Sequence, residues 1–131
     1  MAIVQLKRER FEIWQGQDFL KTIPIEDEDG LAIDLTLFDG EGQLRSDVRD
    51  NAGTVLGTFD VALVGSAWTD ASGTPGWSAQ VRLDRSQSST LNTENMPQGM
   101  GRVDLWIDNG VERVPFAVGA AILRQATTED I

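Results

Sequence analysis

Apolar side chains recur at every second position in short runs along this chain, the pattern of strands with one buried face. The cleanest run sets Leu31, Ile33, Leu35 and Leu37 against Ala32, Asp34 and Thr36, and predicts a half-buried strand. Trp77, Ala79, Val81 and Leu83 alternate in the same way against Ser78, Gln80, Arg82 and Asp84. Val55, Gly57, Phe59, Val61 and Leu63 make another inward row; Leu44 and Val48 share a face opposite Arg45, Asp47 and Arg49. Phe19, Ile23 and Ile25 form a further row with Pro24 on the other face. Proline has no N–H for an inner ladder, so that strand belongs at an edge or bends there.

Between Ile3 and Trp14 the parity changes, because Val4 and Leu6 are even whereas Phe11 and Ile13 are odd. A one-residue slip exchanges the faces of a strand. A bulge near Lys7 to Arg10, or a strand that crosses between two sheets, is therefore expected.

Turn residues separate the rows. They occur at Gln15-Gly16-Gln17, Glu26 to Gly30, Asp39-Gly40-Glu41-Gly42 and Asn51-Ala52-Gly53, and the Gly65 to Gly76 stretch, with Trp68 in it, reads as a loop. Asn109-Gly110 lies inside the alternating stretch Arg102 to Val118 and predicts a hairpin with a two-residue type I′ turn. That turn sets Val103, Leu105 and Ile107 against Phe116, Val114 and Glu112, and Trp106 against Arg113. It also places Pro115 opposite Asp104, in a hydrogen-bonded pair that proline cannot complete; either the ladder bulges there or the turn is longer. Residues 84–91 support one helical turn capped by Asp84. Many short strands and no long helical period point to an all-β, all-antiparallel sandwich or barrel. One domain over 1–126 and a flexible polar tail over 127–131 are expected.

Composition narrows the chemistry. The 131 residues include no cysteine and no histidine, which removes disulfides, thiolate and imidazole metal ligands, and histidine-based catalytic arrangements. Acidic residues outnumber basic ones 21 to 11, for a formal charge of -10. Phosphate backbones and anionic membranes repel such a surface, and the basic run Leu6 to Arg10 reads as the solvated side of a strand, so no nucleic acid or membrane partner is expected. The charged opening lacks the apolar stretch of a secretory signal, so synthesis in the cytoplasm is the expectation. No cofactor or metal is expected. The Glu26 to Asp29 carboxylates fit a solvated turn and do not have EF-hand spacing, although a bound cation is the alternative there.

Carboxylates are the only catalytic hardware available, and they fall mostly on turns and outward positions, so an enzyme is not expected. The candidate functional residues instead form an interface: Trp106, Arg113, Trp68, Met96 and Met100. Trp106 has outward parity beside Asp104 and Asp108. It fits an exposed cation–π pair with Arg113, or a side chain buried by a second subunit. Trp68, Met96 and Met100 could serve the same interface or cover the ends of the sandwich.

The stretch Gly16 to Arg49 carries Asp18-Phe19, Asp29-Gly30, Ile33-Asp34-Leu35-Thr36 and Val48-Arg49, followed later by Val81 to Leu83, Thr90-Leu91, Val103-Asp104-Leu105 and Gly119. In order and kind these steps resemble the immunoglobulin-like domain of tail, baseplate and fibre-associated structural proteins of tailed bacteriophages. Gln17 departs from that pattern by interrupting the usual Gly-Asp pair, and the chain lacks the tyrosine typical of the later strand. The resemblance implies a single antiparallel immunoglobulin-like β-sandwich acting as a non-enzymatic virion part, assembled as a homo-oligomer with other phage structural proteins. Two alternatives remain for a small acidic sandwich: a capsid decoration (cement) protein, or a carbohydrate-binding module using exposed tryptophans. A carboxylate glycosidase is a more distant third.

Overall fold

The computed structural model describes residues 3–46, 53–94 and 96–125. Alternating burial builds seven strands: β1 (Lys7–Trp14), β2 (Phe19–Ile25), β3 (Asp39–Ser46), β4 (Val55–Thr69), β5 (Pro75–Leu83), β6 (Met100–Asp108) and β7 (Arg113–Arg124). The one α-helical turn, α1 (Arg85–Ser88), starts where expected. The Asp84 carboxylate accepts from the Gln87 backbone N–H at 2.9 Å, and the Gln87 side chain accepts in return from the Asp84 N–H, a reciprocal cap.

The protein is all-β, and its strands follow one another in the order β1-β7-β6-β3-β4-β5-β2 in a nearly closed, barrel-like sheet. The fifteen-residue β4 is the corner. Residues from Val55 to Phe59 pair with β3, and from Asp60 onward β4 pairs with β5. Its two halves thus belong to two layers: β1, β7, β6 and β3 on one side, and β5 and β2 on the other. The free ends of the order face each other across a seam joined by Lys21–Glu9 at 3.2 Å and Lys7–Glu26 at 3.1 Å. Pro24 lies on β2, at the end of the order, where its missing N–H breaks no inner ladder.

The pairing is not antiparallel throughout, since β1 runs parallel to β7 from Lys7↔Ala117 to Trp14↔Arg124. The parity change near the N-terminus falls where the chain passes from one layer to the other. Val4 bridges Asp27, and the Gln5 N–H donates to the Glu26 carbonyl at 2.9 Å, so the chain begins against the end of β2. It then crosses the seam to β7 with no slip inside β1. Val4, Phe11 and Ile13 are buried, whereas Leu6, at the crossing, is exposed. Inside, Phe11, Phe19 and Phe59 form a triangle of tilted rings with centroids 6.0 to 6.3 Å apart, joining both layers.

Three expectations need correction. The run Leu31 to Leu37 is a connector rather than a strand; it is tied by hydrogen bonds between Leu31 and Asp27, by the Glu26↔Ala32 bridge and by the Ala32 N–H donating to Asp70 Oδ2 at 2.9 Å. Asp34 accepts from both the N–H and the hydroxyl of Thr36, and the Phe38 N–H reaches back to the Leu35 carbonyl. Such local bonds compete with a ladder and curl the chain. Only Leu35 of the row is fully buried, and Leu37 is exposed.

Asp39 to Gly42 is the start of β3 rather than a turn. Its glycines make room for neighbours: a β-carbon on Gly40 would come within 2.4 Å of Val61, and one on Gly42 within 2.1 Å of Leu105. Likewise the expected loop from Gly65 to Gly76 is mostly strand, with only residues 70–74 turning. The register shifts between Val64 and Trp68, where Ser66 takes a positive φ of 54°. The Asp70 carboxylate closes the turn by accepting from the Ser72 and Thr74 N–H groups, both at 2.9 Å.

The hairpin of β6 and β7 contains both remedies foreseen for Pro115. Its turn spans Asn109 to Glu112, giving Asp108↔Arg113 and Trp106↔Pro115, and the register then slips so that Leu105 faces Ala117. Phe116 and Ala117 are consequently both buried. The expectations for Asp47, Val48, Arg49, Asn51 and Ala52, and for the tail over 127–131, lie outside the described residues.

Candidate functional site

The outward face of β1, β7, β6 and β3 gathers most of the chain's arginines onto one surface. Outward parity on β1 gives Arg8, Arg10, Glu12 and Trp14; on β6 it gives Met100, Arg102, Asp104, Trp106 and Asp108. Between them β7 presents Val118, Ala120 and Ile122, partly buried by their longer neighbours. The result is an apolar stripe bordered by guanidinium groups.

Trp106 and Arg113 meet on this face, although they are not opposite in the ladder. The longer turn makes them diagonal, and the Arg113 guanidinium lies 3.8 Å above the indole ring. The indole N–H donates to Glu41 Oε2 at 3.2 Å. Each polar end of this stack is satisfied within the subunit, as in the exposed cross-strand pair expected from sequence. Trp106 is half-buried, with one face of its ring covered by Arg113.

The other candidates separate. Trp68 folds over Gly76, where a β-carbon would come within 2.3 Å of the indole, and its N–H donates to the Trp77 carbonyl at 2.8 Å. It staples the β4–β5 hairpin. Met96 is 0% exposed and belongs to the core, so it has no surface for a partner to cover; the connector after α1 folds inward there because Leu91, likewise buried, anchors it. Met100 is 38% exposed and borders the apolar stripe. Trp106, Arg113 and Met100 therefore share a face, while Trp68 and Met96 lie elsewhere.

Three carboxylates among the described residues are held below their ordinary range by hydrogen bonds, local ones at Asp34 and Asp84 and one from a distant segment at Asp70. The hydroxyl and N–H of Thr36 lower Asp34. The N–H groups of Ala32 and Thr74 lower Asp70. Asp84 is lowered by the Ser86 hydroxyl and the Gln87 N–H. A general acid at neutral pH needs the opposite shift. A depression of about 430 Å³ on the outer side of β2 and β5 is lined by Asp18, Asp60, Arg82 and Asp84 around Leu20. Two of these carboxylates serve the fold: Asp18 accepts from the Arg85 N–H at 2.8 Å, and Asp84 caps α1.

In the Glu26 to Asp29 turn, Asp27 accepts from the N–H groups of Asp29 and Leu31 at 2.8 and 2.9 Å, with Gly30 at φ 79° completing it. Among the described residues no group of three or more carboxylates is arranged to hold a metal ion. Comparison with models of known protein families finds no match, and a search of curated proteins finds none either.

Proposed function

We propose that this chain is an immunoglobulin-like β-sandwich serving as a non-enzymatic structural part of a tailed-phage particle, at the tail, baseplate or fibre attachment. It works by burying surface against copies of itself and neighbouring particle proteins. The observation that carries the reading is the wiring of the N-terminus, which first pairs antiparallel beside β2 and then parallel with β7. With that crossing, β2, β5 and the second half of β4 correspond to one immunoglobulin sheet, and β3, β6 and β7 to the other.

The residues that carry the phage-domain resemblance support the same reading through their tasks here. Asp18 ties the start of β2 to α1, Asp34 with Thr36 curls the connector between β2 and β3, and Gly119 lets β1 approach β7. Each is a fold-determining role, which is what a domain kept for its shape requires. The carboxylates with displaced pKa values serve turns and a cap, so the acidic excess acts in solubility and partner steering. A glycan platform is less favoured, since Arg113 covers one face of Trp106 and Trp68 lies on Gly76.

The test is mass spectrometry of purified particles from the encoding phage, with antibody labelling in electron micrographs. The chain should be present in stoichiometric amounts, with label at the tail. Label over the head would instead assign it to capsid decoration, and absence from particles would end the reading.

A further inference from the structure

The two most exposed large apolar side chains among the described residues, Val111 at 90% and Leu37 at 81%, lie at the same end of the molecule. Leu37 borders a depression of about 400 Å³ with Asp39, Asp108, Asn109 and Gly110, and Val111 follows directly on the turn. This end is acidic, with Asp39, Asp108 and Glu112 around the two apolar side chains. It is also held stiffly. Asn109 Oδ1 accepts from the Val111 and Glu112 N–H groups at 2.9 and 2.7 Å, and Asp108 Oδ1 accepts from Gly110 at 2.7 Å. An apolar knob fixed in place loses little freedom on binding.

The root of the same hairpin presents the complement. A groove of about 340 Å³ has Val118 and Ala120 as its floor, Met100 at its rim, and Arg8 and Arg102 on its walls. Asp104 also lines the groove, where Arg45 engages it at 3.6 Å, and Glu12 is engaged by Arg10 at 2.9 Å. Among the described residues neither Arg8 nor Arg102 has a carboxylate within ion-pairing distance. Among the described residues Arg8 and Arg102 are thus unpaired although the chain's formal charge is -10; Arg8 lies beside the apolar floor, while the Arg102 guanidinium reaches over β3 toward Gly53.

We propose that the occupant of this groove is the acidic, apolar hairpin tip of a second copy, with Val111 and Leu37 against Val118 and Ala120 and the tip carboxylates drawn to Arg8 and, at the outer edge, to Arg102. The inference rests on the assembly role proposed above and names the surface through which it acts. Tip and groove lie about 20 Å apart along one hairpin, from six strand residues at about 3.3 Å each, so a molecule cannot fill its own groove. The contact joins unlike surfaces and propagates into a ring or a filament.

Light scattering on four samples tests it: the wild type, a tip variant (Val111→Asp with Leu37→Asp), a groove variant (Arg8→Glu with Arg102→Glu), and an equimolar mixture of the two variants. All substitutions are on the surface, and circular dichroism verifies each fold; Arg102→Gln replaces the groove variant if that one misfolds. Wild type should gain mass with concentration, each variant should stay monomeric with association weakened about tenfold or more, and the mixture should stop at dimers. A monomeric wild type at every concentration overturns the proposal. So does a multimeric wild type whose mass neither variant lowers, or a mixture that stays monomeric while the wild type assembles. None of these outcomes removes the chain from purified particles, so the particle assignment falls only by its own test.

Discussion

The backbone carbonyl of Glu9 occupies the place where a β-carbon on Gly119 would have to sit, at 1.7 Å from that position. The two residues face each other in the parallel pairing of β1 with β7. The obstruction is backbone, so no rotamer change relieves it. Gly119→Ala should therefore destabilise by about 3 kcal/mol or more, the upper range for overpacking. Urea denaturation measures this, and loss of amide protection in Lys7 to Trp14 would place the damage at the β1–β7 ladder.

The Phe11, Phe19 and Phe59 triangle joins elements far apart in sequence, and Phe11 is fully buried. Phe11→Ala removes a ring from a site whose neighbours sit on different strands and cannot collapse together. The expected cost is about 3 to 5 kcal/mol by equilibrium unfolding. Met96→Ala, at a fully buried thioether, should cost about 2 to 5 kcal/mol. A near-neutral Met96→Ala would mean that the side chain is not in the core.

Arg113 and Trp106 should couple by about 0.5 to 1 kcal/mol in a double-mutant cycle, the range for an exposed cation–π contact. Trp106→Ala alone should leave the strand content unchanged. A coupling near zero would show that the stack is not maintained in solution.

Acid should weaken the fold through Asp34, Asp70 and Asp84. Their folded pKa values lie below the ordinary 3.8, so the unfolded chain takes up protons first as the pH falls. Their contribution is fully present above that value and is lost as the pH drops through the lower folded values. The urea midpoint should therefore fall on acidification below about pH 4. Asp70→Asn should lower stability at neutral pH and flatten that acid slope, because one carboxylate accepts from Ala32, Ser72 and Thr74. An unchanged slope would remove Asp70 from the acid response.

The sequence alone was sufficient for the β class, the Asp84 cap and the Trp106–Arg113 contact, and it narrowed the Pro24 strand to an edge or a bend and the N-terminus to a bulge or a crossing. Each of these is written in local parity or turn chemistry. The parity change before Phe11 required one or the other because a slip of one residue cannot be hidden from a buried face, and the structure has the crossing. The hairpin's place was legible and Pro115 signalled an irregularity, but the two-residue turn and its facing pairs were not correct: the turn has four residues and the bulge sets Val103 against Gly119.

Tertiary structure alone decided whether a period-two row becomes a strand and whether a glycine bends the chain or makes room for a neighbour. Leu31 to Leu37 has strand periodicity but finds no partner edge, and Asp34 takes its hydrogen bonds locally. Gly40, Gly42 and Gly76 read as turns, yet they accommodate Val61, Leu105 and Trp68, which come from elsewhere in the chain. The same limit applied to the surface: Met96 went inward, and the groove between Arg8 and Met100 exists only because β1 lies beside β7. Alternation specifies which side of a residue wants to be buried, whereas the backbone partner and the volume beside it are properties of distant segments brought together by folding.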